Sequence, residues 1–293
     1  VESQLGVDNL PAHINAEVAG SAINSRDDAL VYMTWTYLFR RLLRNPSYYQ
    51  LEDSSPEGVG NFLTNLIEKS IDELVVNKCI KADCDEKLAT TQLGKIASFY
   101  YISPHTAGKA FEKLQLLKKY DEMSPYPWLC QLLADANEFS ELPVRHNEDN
   151  LNIELMEQLP WKINPSEAGT SNGKAYLLMQ ACMWRVALPI SDYINDTKSI
   201  LDQFARVLNA LIDISAMLSQ LSICLHLMRL GQCVNTASPP NEDPLMQFSW
   251  VGFDKSLCIE IRRELGLKEY KVGGEMRPFL LLPVKRLKEI LPS

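Results

Sequence analysis

Arg145, His146, Asn147, Glu148 and Asp149 form the most polar run of a chain that is 46% hydrophobic and 23% charged. An imidazole beside two carboxylates can serve as an acid or base in catalysis. The same residues also suit a helix start, with Asn147 as N-cap and Glu148 and Asp149 at the positive end of the helix. Arg145 and His146 would then tie the preceding loop to a neighbouring helix, and this structural reading is the expectation. Cys79 and Cys84 are spaced like a thiol pair, but no second Cys or His pair stands at a zinc spacing, so no metal is expected. The histidines (13, 105, 146 and 226) are scattered, and no Ser or Cys sits in an elbow motif. Gly58-Val59-Gly60 and Gly273-Gly274 lack the lysine and hydroxyl that hold a nucleotide with its Mg²⁺. The chain is therefore expected to bind no cofactor and to catalyse no reaction by itself.

Two sets of cations are candidates for binding rather than chemistry. Asp202, Arg206, Asn209 and Asp213 recur at spacings of four, three and four, opposite an apolar face of Ile200, Leu201, Phe204, Val207, Leu208, Leu211 and Ile212. By spacing alone that line reads as a solvated polar stripe on a packed helix. Arg40, Arg41 and Arg44 face away from Trp35, Leu38, Leu42 and Leu43, and would meet phosphates or, by preference, carboxylates of a neighbouring domain. The net charge is −8, and residues 1–236 hold 20 Lys and Arg against 29 Asp and Glu. Phosphate-driven binding needs a surplus of cations, so single-stranded RNA or DNA should bind only weakly.

Periodicity predicts helices near 26–44, 56–77, 93–102, 104–118, 127–138, 147–159, 173–188, 196–216 and 218–233. Asn45-Pro46 should end the first, Ser55-Pro56 and Ser103-Pro104 should open the second and fourth, and Asp196 or Thr197 should cap the helix at 196–216. A β-hairpin is expected from 79–83 with 88–92. The fold is thus mainly α: a winged-helix domain over 1–92, a helical bundle over 93–234, and a linker with an irregular tail over 235–293. A sequence-specific winged-helix regulator is disfavoured, since the recognition-helix candidate, residues 56–76, carries Lys69 against Glu57, Glu68, Asp72 and Glu73. No run of eighteen apolar residues occurs, so no membrane partner is expected. The seven cysteines lie mostly in apolar helical runs and read as reduced thiols.

Five further runs carry a resemblance: HINAEVAGSAI (13–23), TWTYLFRRLLRNPSYY (34–49), LGKIASFYYI (93–102), LPVRHNEDN (142–150) and YLLMQACMWR (176–185). Their order resembles the Sec63 homology unit that follows the motor domains of Ski2-like superfamily-two helicases, over residues 9–234. The resemblance implies a winged helix, then a bundle whose "ratchet" helix guides the emerging strand, which makes Arg206 and Asn209 the candidate contacts for single-stranded RNA or DNA. It implies an ATP- and Mg²⁺-dependent parent helicase, unwinding 3′ to 5′, nuclear and cytoplasmic, in DNA repair and ribosome quality control or in splicing. Partners implied are the motor domains of the same polypeptide and other subunits of a complex. The Gly-Trp that often follows the ratchet helix is replaced by Met217-Leu218-Ser219. Residues 280–291 (LLLPVKRLKEIL) resemble the opening of a helix-hairpin-helix. A free-standing interaction scaffold is the alternative, favoured by the acidic balance.

Overall fold

Leu10, Ile14 and Val18 recur at helical spacing, and in the computed structural model helix α1 (Leu10–Ala19) buries all three together with Asn15. The structure describes residues 1–6, 9–83, 87–116, 125–247, 254–264 and 266. Ser25 caps α2 (Arg26–Trp35) by accepting from the Asp28 amide at 3.1 Å. The single helix expected over 26–44 is instead two. Thr36 is extended, with φ −78° and ψ 158°, and its hydroxyl caps α3 (Tyr37–Arg44) by accepting from the Phe39 amide. A threonine hydroxyl competes for backbone donors in this way, and here it overrides the apolar spacing that continues on both sides. Leu38 and Leu42 stay buried, whereas Trp35 and Leu43, expected beside them, are 82% and 55% exposed.

Asn45-Pro46 ends α3 as expected, and Pro46–Tyr49 continues as a 3-10 turn. Helix α4 (Pro56–Val76) opens behind Ser55, which accepts from the Gly58 amide at 3.0 Å. Strands β1 (Ile80–Ala82) and β2 (Leu88–Thr90) pair antiparallel, Ile80 opposite Thr90. The turn residue Cys84 lies outside the described residues; Cys79 is buried, and burial pushes its thiol up to about 12.

Helix α5 (Gln92–Tyr100) then seats against the start of the chain. The buried Asn15 amide donates to the Gly94 carbonyl at 2.9 Å. A Cβ at Gly94 would come within 2.1 Å of the Cys79 carbonyl oxygen, so this close approach requires glycine. The runs at 13–23 and 93–102 are thus two halves of one packing contact.

The remaining helices are α6 (Pro104–Leu116), α7 (Tyr126–Ala134), α8 (Glu148–Gln158), α9 (Pro165–Ala168), α10 (Ser171–Trp184), α11 (Asp192–Met217), α12 (Leu221–Thr236) and α13 (Lys255–Glu264). Helix α10 is buried at nearly every position from Gly173 to Met183 and forms the centre, with α7, α8, α9, α11 and α12 around it. Helix α11, about 39 Å long at the α-helical rise, packs on α5, α6, α10 and α12. One continuous core runs from Leu10 to Val234.

A satellite cluster of Leu245, Met246, Cys258 and Ile261 joins the 3-10 turn at Pro244–Gln247 to α13. Residues 235–244 have the composition of a linker but are packed: Ser238 and Asp243 are buried, and Arg262 forks onto Asp243 at 2.5 and 2.7 Å. Arg185 donates to the carbonyls of Ala237, Met246 and Gln247 at 2.8–3.0 Å, fastening this cluster to α10. The helix-hairpin-helix candidate at 280–291 lies outside the described residues. No described helix is long and apolar enough to cross a membrane.

Candidate nucleic-acid interface

Beneath the first turns of α11 lies a cluster of four charges. Lys174, fully buried on α10, donates to Glu148 Oε2 and to Asp196 Oδ2, both at 2.6 Å, and to the Pro143 carbonyl at 2.8 Å. An ammonium has three donors, and all three are used. Arg145 reaches the same carboxylates, at 2.7 Å from Glu148 and 2.9 Å from Asp196, and lies 3.3 Å from Asp192. Tyr193 stacks its ring 4.6 Å from the ammonium, and its hydroxyl donates to the buried Asn152.

Two expectations change here. Asn147 stands at the N-cap position of α8 but makes no side-chain cap bond; Glu148 instead accepts from the Arg145 amide at 3.1 Å. Asp196 does not cap α11, which begins at Asp192 behind Ser191. The buried ammonium draws that carboxylate inward, one turn inside the helix. Arg145 makes the expected tie to a neighbouring helix, while His146, Asn147 and Asp149 are exposed. Burial raises the Glu148 and Asp196 carboxyls, but hydrogen bonds from Lys174 and Arg145 outweigh it and hold both below their ordinary values. With both acids ionised and the ammonium saturated, the cluster offers no acid or base at neutral pH. It joins α8, α10 and α11.

The polar line of α11 rises from this base. Asp202, Asn209 and Asp213 are exposed, and the half-buried Arg206 donates to Gln203 one turn earlier. Ile200, Phe204, Val207, Leu208 and Leu211 are buried as expected, while Leu201 and Ile212 are half-buried. Asp213 does not stand free toward a strand: it accepts the Tyr100 hydroxyl at 2.8 Å, across to α5.

The arginines of α3 divide. Arg41 forks onto Glu2, which also accepts from Asn45 at 3.2 Å and Tyr49 at 3.0 Å. The Arg41 guanidinium, ahead of Asn45 and Tyr49, lowers the Glu2 carboxyl to about 2. Arg41 is therefore an internal clamp, contrary to the expectation of an outward contact, because the chain's first residues fold back over α3. Arg40 and Arg44 are exposed. Their chain neighbours Phe39 and Leu43 line an apolar groove of about 470 Å³ with Leu30, Val31, Val59 and Leu63. No hydrogen bond or ion pair among the described residues links this set to the α11 line.

Lys174 and Tyr193 were not singled out in the sequence. A lone lysine in the run GKAYLLMQ is the signal that was there to read, since a cation in an otherwise buried helix demands partners. Among the described residues, no group of three His, Cys, Asp or Glu is placed to hold a metal ion.

The fold is thus a winged helix joined through α5 to a bundle with one long polar-edged helix. Residues 90–283 match the family model described as Sec63 Brl domain, and residues 2–84 match a winged helix-turn-helix domain. The chain belongs to this Sec63 family, in the form that carries a winged helix in front. It is 44% identical over 233 residues to activating signal cointegrator 1 complex subunit 3 of Homo sapiens, covering 79% of this chain and 10% of that protein. It is 39% identical over 305 residues to the DExH-box ATP-dependent RNA helicase DExH14 of Arabidopsis thaliana, covering 99% and 13%. To the RQC trigger complex helicase SLH1 of Saccharomyces cerevisiae it is 34% identical over 244 residues, covering 80% and 12%. The chain thus spans about a tenth of the length of these curated relatives. The motif-based resemblance stopped near residue 234, whereas the family match continues to 283, so the stretch fastened by Arg185 belongs to the same family region.

Proposed function

We infer that this chain is the accessory module of an ATP-dependent helicase, bracing motor domains of the same polypeptide and guiding one nucleic-acid strand along α11. The observation that carries this reading is the polar line of the half-buried Arg206 and the exposed Asn209 on a helix whose base is locked by the Lys174 cluster. A rigid helix with a narrow polar edge suits a strand that slides over it, because few phosphate contacts mean weak holding. ATP and Mg²⁺ would be held by the motor domains. Arg40 and Arg44, exposed and next in sequence to the groove residues Phe39 and Leu43, suit docking against carboxylates of a motor domain.

Kinship with a cointegrator complex subunit and with the RQC trigger complex helicase supports a parent that works within a multi-subunit assembly in ribosome quality control; action in DNA repair, in nucleus and cytoplasm, rests on the motif resemblance. The test is Arg206→Glu in the full-length helicase. Unwinding of a tailed duplex should fall about tenfold, the scale of one lost cation contact replaced by repulsion, while ATP turnover without nucleic acid stays unchanged. Unchanged unwinding would refute the strand-guiding role.

A further inference from the structure

The α11 line offers a strand an arginine, an amide and carboxylates, but no ring on which a base can stack. Rings stand beside it. Tyr100, the last residue of α5, donates to Asp213, so the end of α5 is fastened to α11 one turn beyond Asn209. Phe99 lies edge-on to Tyr100, with centroids 4.9 Å apart and planes at 89°, and it is 74% exposed. Tyr101 is 79% exposed. Its backbone is left-handed, at φ 52°, an uncommon state for a bulky residue. That turn sends Ile102 into the core and leaves the Tyr101 ring in solvent. Lys95, exposed one helical turn before Phe99, shares its face of α5.

Two solvent-facing rings and an ammonium, on a helix whose end is bonded to α11 one turn beyond Asn209, are the components of a single-strand site. Every base has a face that stacks on an aromatic ring, and cations meet the phosphates between bases. The nearby Asp213 carboxylate accepts the Tyr100 hydroxyl, which fixes its position at the junction of α5 and α11. We propose that Phe99 and Tyr101 form a base-stacking platform for single-stranded nucleic acid, with Lys95 as its phosphate contact, continuing the track of Arg206 and Asn209 from α11 onto α5. This rests on the strand-guiding reading of α11 and extends it by naming the groups that receive the bases.

The test is fluorescence anisotropy of the 293-residue chain with a labelled oligouridine at low salt. The double variant Phe99→Ala with Tyr101→Ala should bind about tenfold more weakly or worse, and Phe99→Trp should retain affinity. Lys95→Ala should lower the slope of affinity against salt by about one, whereas the aromatic variants keep it. Both rings are exposed, so the variants should melt like the wild type. A 5-iodouridine substitution should photocrosslink to Phe99 or Tyr101. Wild-type affinity in the double variant, crosslinks confined to other residues, or no binding by the chain at all would each overturn the platform. Loss of binding in Arg206→Glu with none in the double variant would sink the platform and leave the α11 reading standing. The reverse pattern would keep the platform and remove α11 from the track.

Discussion

Lys174 shows how one side chain can decide the reading of a motif. Arg145 and Glu148 look like reagents only while Lys174 is out of view; with it in place the buried Lys174, Glu148 and Asp196 are balanced by the partly exposed Arg145. Removing one partner of such a set leaves an uncompensated charge in the interior. Lys174→Met should therefore cost about 3–5 kcal/mol, read as a lower midpoint in urea unfolding. A loss under about 1 kcal/mol would mean the cluster is not needed for stability.

The same residues set an acid limit. Glu148 and Asp196 are held below their ordinary values of 4.5 and 3.8, so the folded state binds fewer protons than the unfolded one in the acid range. Their contribution is full above about pH 4.5 and is lost as pH falls through the depressed folded values. Melting temperature should stay flat from neutrality to about pH 5 and drop steeply below pH 4, a drop that is smaller in Asp196→Asn. An equally steep drop in that variant would place the acid sensitivity elsewhere.

At the level of elements, helix ends were the legible part. Asn45-Pro46 and Ser55-Pro56 mark their boundaries because proline excludes the preceding residue from the helix and hydroxyls cap the next. The break at Thr36 was not legible, since Leu38 and Leu42 keep the apolar period across it. The charge cluster was half legible: Arg145 and Glu148 are three residues apart, but Lys174 and Asp196 lie 26 and 48 positions beyond Glu148, and no local spacing announces such partners. Gly94 was visible as part of a motif, yet its reason is spatial. Gly94→Ala would drive a methyl into the Cys79 carbonyl and should destabilise by about 3 kcal/mol, at the upper end of overpacking costs. Hydrogen exchange should show α5 opening first, and full protection there would contradict the tight seat.

For the whole molecule, the winged helix and the bundle share one core from Leu10 to Val234, bridged where α5 packs on α1 and α11. Shared burial of this kind couples unfolding. Far-UV and near-UV signals should therefore change together in a single denaturant transition, and two separated transitions would show that the units are independent. The acidic balance of residues 1–236 argues against a broad basic face for nucleic acid and leaves room only for a narrow track of the kind proposed above.

The Arg185 fork has a mechanical corollary. One guanidinium grips three carbonyls belonging to the stretch after α12, so tension applied from the far end of the chain would converge on that rivet before reaching the central helices. The appendage around α13 would peel away as a unit, leaving the body that carries α11 intact.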